Sequence, residues 1–300
     1  MNTETKIQKP FLKWVGGKTQ IIDIVLRKFP KEMNNYHELF LGGGSVLFAL
    51  LSLHKDNKIK IKKKIYAYDI NKTLINVYKH IQKSNNQLYK YIQYYFDEYN
   101  SINDLKGNRK PETIEEAKLS KESYYYWMRN KFNSMEDSIE KSAVFIFINK
   151  TCFRGMYREG PNGFNVPFGN YKKPGFLTEE MFGEINILIK DVEFLHSDFE
   201  SSIKNAKKGD FVYLDPPYAP KDETSFVGYV AKGFNLDMHK KLFKEINNFN
   251  MKEIKFALSN AKVNLVTDYF KGYYCQDILA RRAINSKKPG SKTIEVIINN

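Results

Sequence analysis

Four consecutive residues, Asp215, Pro216, Pro217 and Tyr218, end an apolar stretch in the segment DFVYLDPPYAP, residues 210–220. Proline has no N–H group, so a strand must stop here, and the proline carbonyls stay free to accept hydrogen bonds. A carboxylate, a carbonyl and an aromatic ring side by side suit an exocyclic amine, because they offer two acceptors for its hydrogens and a face on which its base can stack. The alternative interpretation is an Asp-Pro-Pro turn with a surface tyrosine.

A glycine turn marks a second candidate site, where the predicted strand YHELF, residues 36–40, runs into LGGGS. Asp69 ends the next predicted strand, IYAYDI, where an open parallel sheet usually places a carboxylate that binds ribose hydroxyls. The two features together indicate an adenosine-like ligand. Leu47 stands where the dinucleotide fingerprint needs its last glycine, so classical NAD binding is disfavoured. The alternative interpretation is a tight turn followed by a helix-capping aspartate ahead of Asn71.

The N-terminal stretch PFLKWVGGKTQ, residues 10–20, ends in Gly-Gly-Lys-Thr, as do the phosphate-binding loops of nucleotide triphosphatases. Such a loop needs a glycine where this chain has Leu12, and it follows an apolar strand that Lys13 and Trp14 interrupt here. A triphosphatase site is therefore disfavoured, and the two glycines must serve another purpose.

The elements that must position these residues follow an α/β pattern. Residues 36–81 form a strand, glycine turn, helix, strand and helix, and the alternation of helices and strands returns after residue 178. Between them, residues 82–149 are predicted to form long polar and aromatic helices. Residues 151–175, TCFRGMYREGPNGFNVPFGNYKKPG, are predicted to form a hairpin or an ordered loop. The sequence therefore predicts an α/β sheet domain with a helical and loop-rich insertion.

Composition is that of a basic globular protein: the 300 residues carry a formal net charge of +14, which favours polyanionic partners. Part of this charge lies in KIKIKKK, residues 58–64, for which a solvated loop is the alternative interpretation. There is no apolar run long enough to span a bilayer and no signal-peptide core at the start, so we expect a cytoplasmic, nucleoid-associated location. Cys152 and Cys275 match no metal-ligand spacing or disulfide framework.

The segments FLKWVGGK, ELFLGGGSV, YDIN, NKTCFRGMYREGPNGFNVPFG, SDF and DPPY resemble the Dam-type DNA adenine-N6 methyltransferases, a family that includes members of restriction-modification systems. The resemblance runs from Pro10 to the terminal TIEVIINN. It implies a Rossmann-like α/β sheet that uses S-adenosylmethionine (AdoMet), formed by residues 1–81 and 176–300. Residues 82–175 are then an inserted helical and hairpin-containing region that recognises DNA.

The same resemblance implies that AdoMet is the cofactor, that S-adenosylhomocysteine is its product and that no metal is required. In members of the family, the first motif lines the AdoMet pocket, the glycine turn lies beside the methionine part, and acidic residues hold the ribose and adenine. The residues implied for this pocket are Trp14, Gly17, Lys18, Phe40, Gly42, Asp69, Asp198, Phe199 and Asp215.

Double-stranded DNA is the implied partner, and residues 151–169 are implied to read its sequence. Phe153 fills the gap left by a flipped adenine, Arg158 contacts a guanine, and Met156 and Pro167 touch a thymine methyl group. Lys13 is also implied to point toward DNA.

Arg154 departs from the GATC-specific members of the family, which typically carry asparagine there, and REGPNGFNVP is closer to members that read sites such as CATG. Both CATG-like and GATC-like targets therefore stay open. Contacts to phosphate alone are the alternative interpretation for Arg154 and Arg158.

The implied reaction is direct methyl transfer to adenine N6, with Asp215 and the Pro216 carbonyl accepting its hydrogens and Tyr218 stacking on the flipped base. A restriction endonuclease is expected as a functional partner and not as a stable complex. Two alternatives stay open: a DNA-binding relative that has lost catalysis, and a methyltransferase that acts on cytosine N4 or on RNA.

Overall fold

Seven strands form a central sheet in the computed structural model, which describes residues 5–103, 105–175, 177–220, 233–281 and 292–300. The sheet order is β10-β11-β9-β8-β2-β4-β7. The bounds of its strands, numbered along the chain, are β2 Tyr36–Glu38, β4 Ile65–Asp69, β7 Val192–His196, β8 Phe211–Leu214, β9 Lys255–Ala261, β10 Tyr274–Arg281 and β11 Lys292–Asn299. Two short pairs lie outside the sheet: β1 Glu32–Met33 with β3 Lys60–Ile61, and β5 Glu159–Gly160 with β6 Gly163–Phe164.

The five strands β7, β4, β2, β8 and β9 run parallel, and β11 and β10 continue the sheet in antiparallel pairing. Every residue of β8 is buried, as its uninterrupted apolar sequence requires when helices cover both faces of a sheet. All five parallel strands have their carboxyl ends at the same edge, which is where ligands of open α/β sheets bind. The predicted fold class is confirmed.

Helices cover both faces of the sheet and form the layer that the sequence predicted between residues 82 and 149. Side-chain caps fix several of their starts; the Asn71 side chain, for example, accepts the Leu74 N–H at 3.0 Å. The described helices are α1 Ile22–Leu26, α2 Ser45–Lys55, α3 Lys72–Lys83, α4 Asn85–Ser101, α5 Ile114–Ala117, α6 Lys121–Ser134, α7 Ile139–Thr151, α8 Glu179–Ile189, α9 Phe199–Ser202, α10 Leu236–Asn247 and α11 Asn264–Tyr269.

Helix α7 is the centre of the helical region, because all residues from Ser142 to Thr151 are buried. It packs against α3, α4 and α6, and its side chains belong to the same apolar cluster as α2 and α3. A second apolar cluster, built from β8, β9 and α10, covers the other face of the sheet. The loop 151–175 thus starts from a rigid support that is continuous with the sheet. Among the described residues, no helix is both long and apolar enough to span a membrane.

Candidate active site

The carboxyl ends of four neighbouring strands bring the predicted site residues to one edge of the sheet. Glu38 at the end of β2 lies in register with Tyr213 of β8 and Ala67 of β4, while Asp69 of β4 is paired with His196 of β7. Asp215 therefore lies just beyond the end of β8, next to the glycine turn that follows β2. The sequence placed these segments on separate strand ends, and the sheet order makes them neighbours.

Lys18 joins the N-terminal segment to this edge. Its Nζ atom lies 2.5 Å from Asp215 Oδ2 and donates to the Gly16 carbonyl at 2.6 Å. The Lys18 side chain is 4% exposed, against 19% for Asp215, so the pair is largely withdrawn from solvent. The Lys18 N–H binds Ser45 Oγ at 3.0 Å, which fixes this segment to the start of α2. Gly16 adopts a φ of 82°, a left-handed conformation that glycine takes without strain.

Two carboxyl groups beneath this edge have shifted proton affinities. Burial raises the pKa of Asp215 above its ordinary value, and the Lys18 ammonium opposes that shift. Glu38 is 2% exposed and accepts a hydrogen bond from Tyr36 Oη at 2.6 Å. Burial raises the pKa of Glu38 to about 8. The ion pair thus favours the ionised form of Asp215, whereas burial favours the protonated form of Glu38.

Tyr218 is fixed both at its ring and through the following main chain. Its hydroxyl donates to Glu295 Oε2 at 2.8 Å, and its ring centroid lies 5.1 Å from Lys18 Nζ. The Ala219 N–H donates to Asn260 Oδ1 at 3.0 Å. Burial raises the pKa of Tyr218, and the neighbouring carboxylates of Asp215 and Glu295 add to the effect. The phenol is therefore a neutral hydrogen-bond donor in this site.

Trp14 lies against the glycine turn that follows β2. A Cβ atom at Gly42 would come within 2.8 Å of the Trp14 indole, and one at Gly43 within 2.7 Å of Trp14 Cβ, so both glycines are required by the contact with this residue. The opposite side of the turn is equally close, since a Cβ at Gly44 would meet Tyr78 Oη at 2.8 Å. Tyr157 from the loop 151–175 stacks on the indole, with ring centroids 5.8 Å apart. Packing within the chain therefore requires glycine in this turn, and the ligand that the sequence linked to the turn stays a prediction.

Asp69 and Asp198 are held in different ways. The carboxylate of Asp69 accepts the N–H groups of Gly42 and Asn71, each at 2.9 Å, so it fixes the glycine turn to the end of β4. Burial raises the pKa of Asp69 and these backbone hydrogen bonds oppose the rise. Asp198 is exposed and caps α9 by accepting the Ser201 N–H at 2.7 Å, and this hydrogen bond lowers its pKa. The helix cap near Asp69 is Asn71 itself.

An aromatic cluster connects the segments that follow β2 and β7 with the residues just before α10. The ring of Phe40 stacks with that of Phe199 at a centroid distance of 6.1 Å, and Phe234 contacts both rings at 5.8 and 5.4 Å. Aromatic faces attract cations, and carboxylates accept hydrogen bonds from hydroxyl groups. The chemistry of this edge therefore fits a ligand that carries ribose hydroxyls and a positive centre.

The loop 151–175 leaves the carboxyl end of α7 and is closed by backbone hydrogen bonds. The Phe153 N–H donates to the Pro167 carbonyl at 2.8 Å, and the strands β5 and β6 form its hairpin. Phe153 is 43% exposed. Arg154 has a φ of 55°, and its N–H donates to Tyr171 Oη at 2.8 Å. An exposed aromatic ring and an arginine thus lie at the base of the loop, on backbone that the loop itself holds.

The other predicted DNA contacts of this loop are divided between surface and interior. Arg158 is exposed, and its Nε donates to Asn165 Oδ1 at 2.6 Å across the hairpin. Pro167 is exposed, whereas Met156 is partly buried.

Lys13 approaches the same loop from the N-terminal segment. Its Nζ lies 3.7 Å from the centroid of the Tyr171 ring, and its backbone N–H binds Asn149 Oδ1 at 3.0 Å. Burial lowers the pKa of Lys13. A Cβ at Gly155 would lie 2.2 Å from Lys13 Cβ, so glycine is required where the loop meets this lysine.

In the described ranges, no group of three or more His, Cys, Asp or Glu side chains is placed to hold a metal ion. Cys152 is a buried free thiol and Cys275 an exposed one.

Sequence reasoning missed three residues of this edge: Glu38, Phe234 and Glu295. A lone carboxylate inside the short apolar segment YHELF was a signal for Glu38, because a buried charge in a strand needs a partner. Phe234 and Glu295 gave no such signal, since an aromatic residue before a helix and an alternating acid in a strand are both ordinary.

The comparisons with known proteins agree with this geometry. Residues 14–284 match the family model of the D12 class N6 adenine-specific DNA methyltransferases. The chain is 35% identical to the type II methyltransferase M.MjaIII of Methanocaldococcus jannaschii over 93% of either chain. It is 30% identical to a DNA adenine methylase of Haemophilus influenzae, covering 92% of this chain and 88% of the relative. The type II methyltransferase M1.LlaDCHI of Lactococcus lactis is 29% identical over 97% of this chain and 95% of its own.

These matches span nearly the whole described chain, and they include the sheet, the helical region and the loop 151–175. The chain therefore belongs to the D12 class of N6 adenine-specific DNA methyltransferases.

Proposed function

We propose that the protein methylates adenine N6 within one short motif of double-stranded DNA and that AdoMet is the methyl donor. The observation that carries the proposal is the buried Lys18–Asp215 ion pair, 2.5 Å long, beside Tyr218 at the carboxyl edge of a parallel sheet. It offers a desolvated carboxylate and an aromatic ring at one place, as an exocyclic amine on a flat base requires.

Asp215 and Pro216 act on the N6 amine. Its lone pair is delocalised into the adenine ring, so the amine is a poor nucleophile until its two hydrogens are bound. The Asp215 carboxylate and the Pro216 carbonyl accept these hydrogens and draw the nitrogen toward tetrahedral geometry. With AdoMet bound, the methyl group would pass from sulfur to N6, S-adenosylhomocysteine would leave, and the surplus N6 proton would then be released to solvent. Lys18 donates a hydrogen bond to Asp215 Oδ2, so Asp215 Oδ1 is the oxygen that accepts from the N6 amine. Pro217 fixes the turn that aims both acceptors, and Tyr218 stacks on the base.

AdoMet supplies an electrophilic methyl group on a sulfonium centre. Phe40 and Phe199 provide aromatic faces beside this positive charge. Asp69, at the end of β4, accepts hydrogen bonds from the ribose hydroxyls of AdoMet. Asp198, just after β7, accepts one from its adenine amine. The other residues proposed to line the AdoMet pocket are Trp14, Gly17, Lys18 and Gly42. Trp14 contacts Gly42, and the Lys18 N–H binds Ser45 just after the glycine turn.

The target adenine is stacked inside the duplex and must be flipped out, at a cost of a few kcal/mol. Phe153, whose ring is 43% exposed at the base of the loop 151–175, fills the gap. Arg158 reads a guanine edge, Met156 and Pro167 touch a thymine methyl group, and Lys13 with Arg154 contact the DNA nearby. The sequence of this loop favours a CATG-like or GATC-like target.

We propose a restriction-modification or DNA-marking role, which the names of the relatives support. Two of them bear the name type II methyltransferase and a third that of DNA adenine methylase. A cognate restriction endonuclease in the same cell is the functional partner proposed here.

The test is methyl transfer from labelled AdoMet to adenine-unmethylated plasmid DNA, with equal amounts of RNA as a competing acceptor. We expect label in DNA, recovered as N6-methyladenine after digestion to nucleosides, and AdoMet binding in an equilibrium titration. Label in RNA or in N4-methylcytosine would contradict the proposed acceptor. AdoMet binding without transfer would instead identify a DNA-binding relative that has lost catalysis.

A further inference from the structure

We propose that Glu295 is a positioning residue that sets the orientation of the Tyr218 ring for stacking on the flipped base. This inference rests on the proposed function, because it assumes that Tyr218 contacts the target adenine. Glu295 lies 77 positions from Tyr218 along the chain, in a strand that carries no other residue assigned to the site.

The hydrogen bond between the two side chains has an ordinary length and is partly shielded from solvent. Tyr218 Oη donates to Glu295 Oε2 at 2.8 Å. Hydrogen bonds to an ionised acceptor are about twice as strong as those between neutral groups, and loss of solvent contact strengthens them further. The tyrosine hydroxyl has no part in the proposed methyl transfer, so this contact calls for another explanation.

Glu295 is a rigid anchor because β11 is an inner strand of the sheet. Glu295 pairs with Ala261 of β9 on one side and with Ile278 of β10 on the other. The three residues that follow it in the strand, Val296 to Ile298, are buried. Its backbone cannot move without disturbing two ladders of hydrogen bonds, so the carboxylate defines a fixed point for the tyrosine hydroxyl.

The main chain beside Tyr218 is fixed by the same antiparallel part of the sheet. Asn260, a fully buried residue of β9, accepts the Ala219 N–H at 3.0 Å. The backbone anchor leaves the ring free to turn about its χ1 and χ2 angles. The hydroxyl contact with Glu295 removes that freedom, and the Lys18 ammonium 5.1 Å from the ring centroid gives the ring a cationic neighbour. Three separate parts of the chain thereby determine one ring plane.

The proposal predicts coupling between Glu295 and the Tyr218 hydroxyl, which a double-mutant cycle measures. The readout is the single-turnover rate of methyl transfer from labelled AdoMet to adenine-unmethylated plasmid DNA with enzyme in excess. We expect Glu295→Ala and Tyr218→Phe each to slow this step about tenfold, as loss of one charge-assisted hydrogen bond implies. The double variant should be no slower than either single variant, and AdoMet affinity should be unchanged.

Glu295→Gln keeps a hydrogen-bond acceptor for Tyr218 but removes the negative charge. It therefore distinguishes loss of the positioning contact from loss of charge or of strand stability. Its amide oxygen can accept the tyrosine hydroxyl, so we expect most of the wild-type rate. The matched control is Glu193→Ala, which removes a carboxylate from β7 at the other edge of the sheet and should leave the rate unchanged. Wild-type rates in Tyr218→Phe, or losses that multiply in the double variant, would overturn the proposal.

Tyr218→Ala distinguishes failure of the proposed stacking role of Tyr218 from failure of the positioning role of Glu295. If this variant keeps the wild-type rate, the proposed stacking role of Tyr218 fails and the inference fails with it. If Tyr218→Ala is slow while Tyr218→Phe is as fast as the wild type, the stacking role stands and only the role of Glu295 is refuted.

Discussion

The edge of the sheet and the loop 151–175 hold the side chains proposed for chemistry and for DNA recognition in opposite ways. At the sheet edge, Lys18, Asp215 and Tyr218 bind one another or neighbouring strands and have little exposure. In the loop, the backbone is fixed by hydrogen bonds, while the side chains of Phe153 and Arg158 extend into solvent. Preorganised polar groups favour a chemical step, because they need no reorganisation when charge develops. Exposed side chains on a fixed backbone favour contact with a partner whose sequence they discriminate.

Removal of the Asp215 carboxylate should have the largest effect, and it should impair methyl transfer without impairing DNA binding. We expect Asp215→Ala to slow single-turnover methyl transfer by roughly 10²- to 10³-fold, the scale for loss of a preorganised polar group. DNA affinity should change little, because the loop 151–175 is untouched. The control is Asp277→Ala, which removes a half-exposed carboxylate from β10. This carboxylate forms an ion pair with Lys262. A normal transfer rate in Asp215→Ala would refute the assignment of the sheet edge to chemistry.

The pH dependence of transfer tests the ion pair itself. Asp215 must be ionised to act as an acceptor, and burial raises its pKa while Lys18 opposes the rise. Activity should therefore be lost as the pH falls through this raised pKa. Lys18→Gln should move the acidic limb of the single-turnover pH profile to higher pH. An unchanged acidic limb, with AdoMet kept saturating, would show that Lys18 does not control the ionisation of Asp215.

Arg158→Ala should produce the converse of Asp215→Ala. We expect a loss of about 1–3 kcal/mol in the free energy that separates target from non-target DNA, the usual value of one bidentate base contact. The measurement is competition binding at fixed salt between plasmid fragments with and without methylation sites. Arg27→Ala, which removes an exposed arginine just beyond α1, is the control. An equal loss of affinity for every fragment would assign Arg158 to phosphate contact alone.

Buried carboxyl groups should also give the sheet edge a stability cost that the loop lacks. The pKa of Glu38 is about 8 in the fold against 4.5 as its ordinary value, so the folded state binds more protons between these pH values. The free energy of unfolding should therefore fall as the pH rises through this window. In Glu38→Gln that dependence is absent, so the free energy of unfolding of the variant relative to that of the wild type should rise between pH 5.5 and pH 8, by up to about 3 kcal/mol.

Urea denaturation of both proteins at pH 5.5, 7 and 8 measures this difference. Glu193→Gln, whose carboxylate is 43% exposed, is the matched control and should track the wild type at each pH. A stability difference between Glu38→Gln and the wild type that does not vary with pH would contradict the raised pKa.

Most of the fold could be predicted because short sequence patterns, such as apolar segments and the prolines that follow them, identify its strands. The uninterrupted apolar segment before Asp215 identified β8, and the prolines after it fixed the strand end. Asp69 and Asp215 were recognisable as candidate site residues because each lies at the carboxyl end of a predicted parallel strand. Their common edge needed only the rule that ligands bind at carboxyl ends of strands.

The contacts within the site could not be predicted in the same way. Lys18 and Asp215 are 197 positions apart, and their pairing depends on how the N-terminal segment crosses the glycine turn. The sequence linked that turn to a ligand, which stays a prediction, and it gave no sign that the Trp14 indole takes the space a Cβ would need at Gly42. Side-chain geometry of this kind depends on long-range packing, which periodicity and spacing do not encode.

The most direct test of the central claim is to locate every modified base by single-molecule sequencing after the purified protein and AdoMet have acted on adenine-unmethylated plasmid DNA. Our account predicts N6-methyladenine at nearly every copy of one short motif, and unmodified adenines elsewhere. Modified cytosines with no modified adenine, or no modified base despite measurable AdoMet binding, would contradict it.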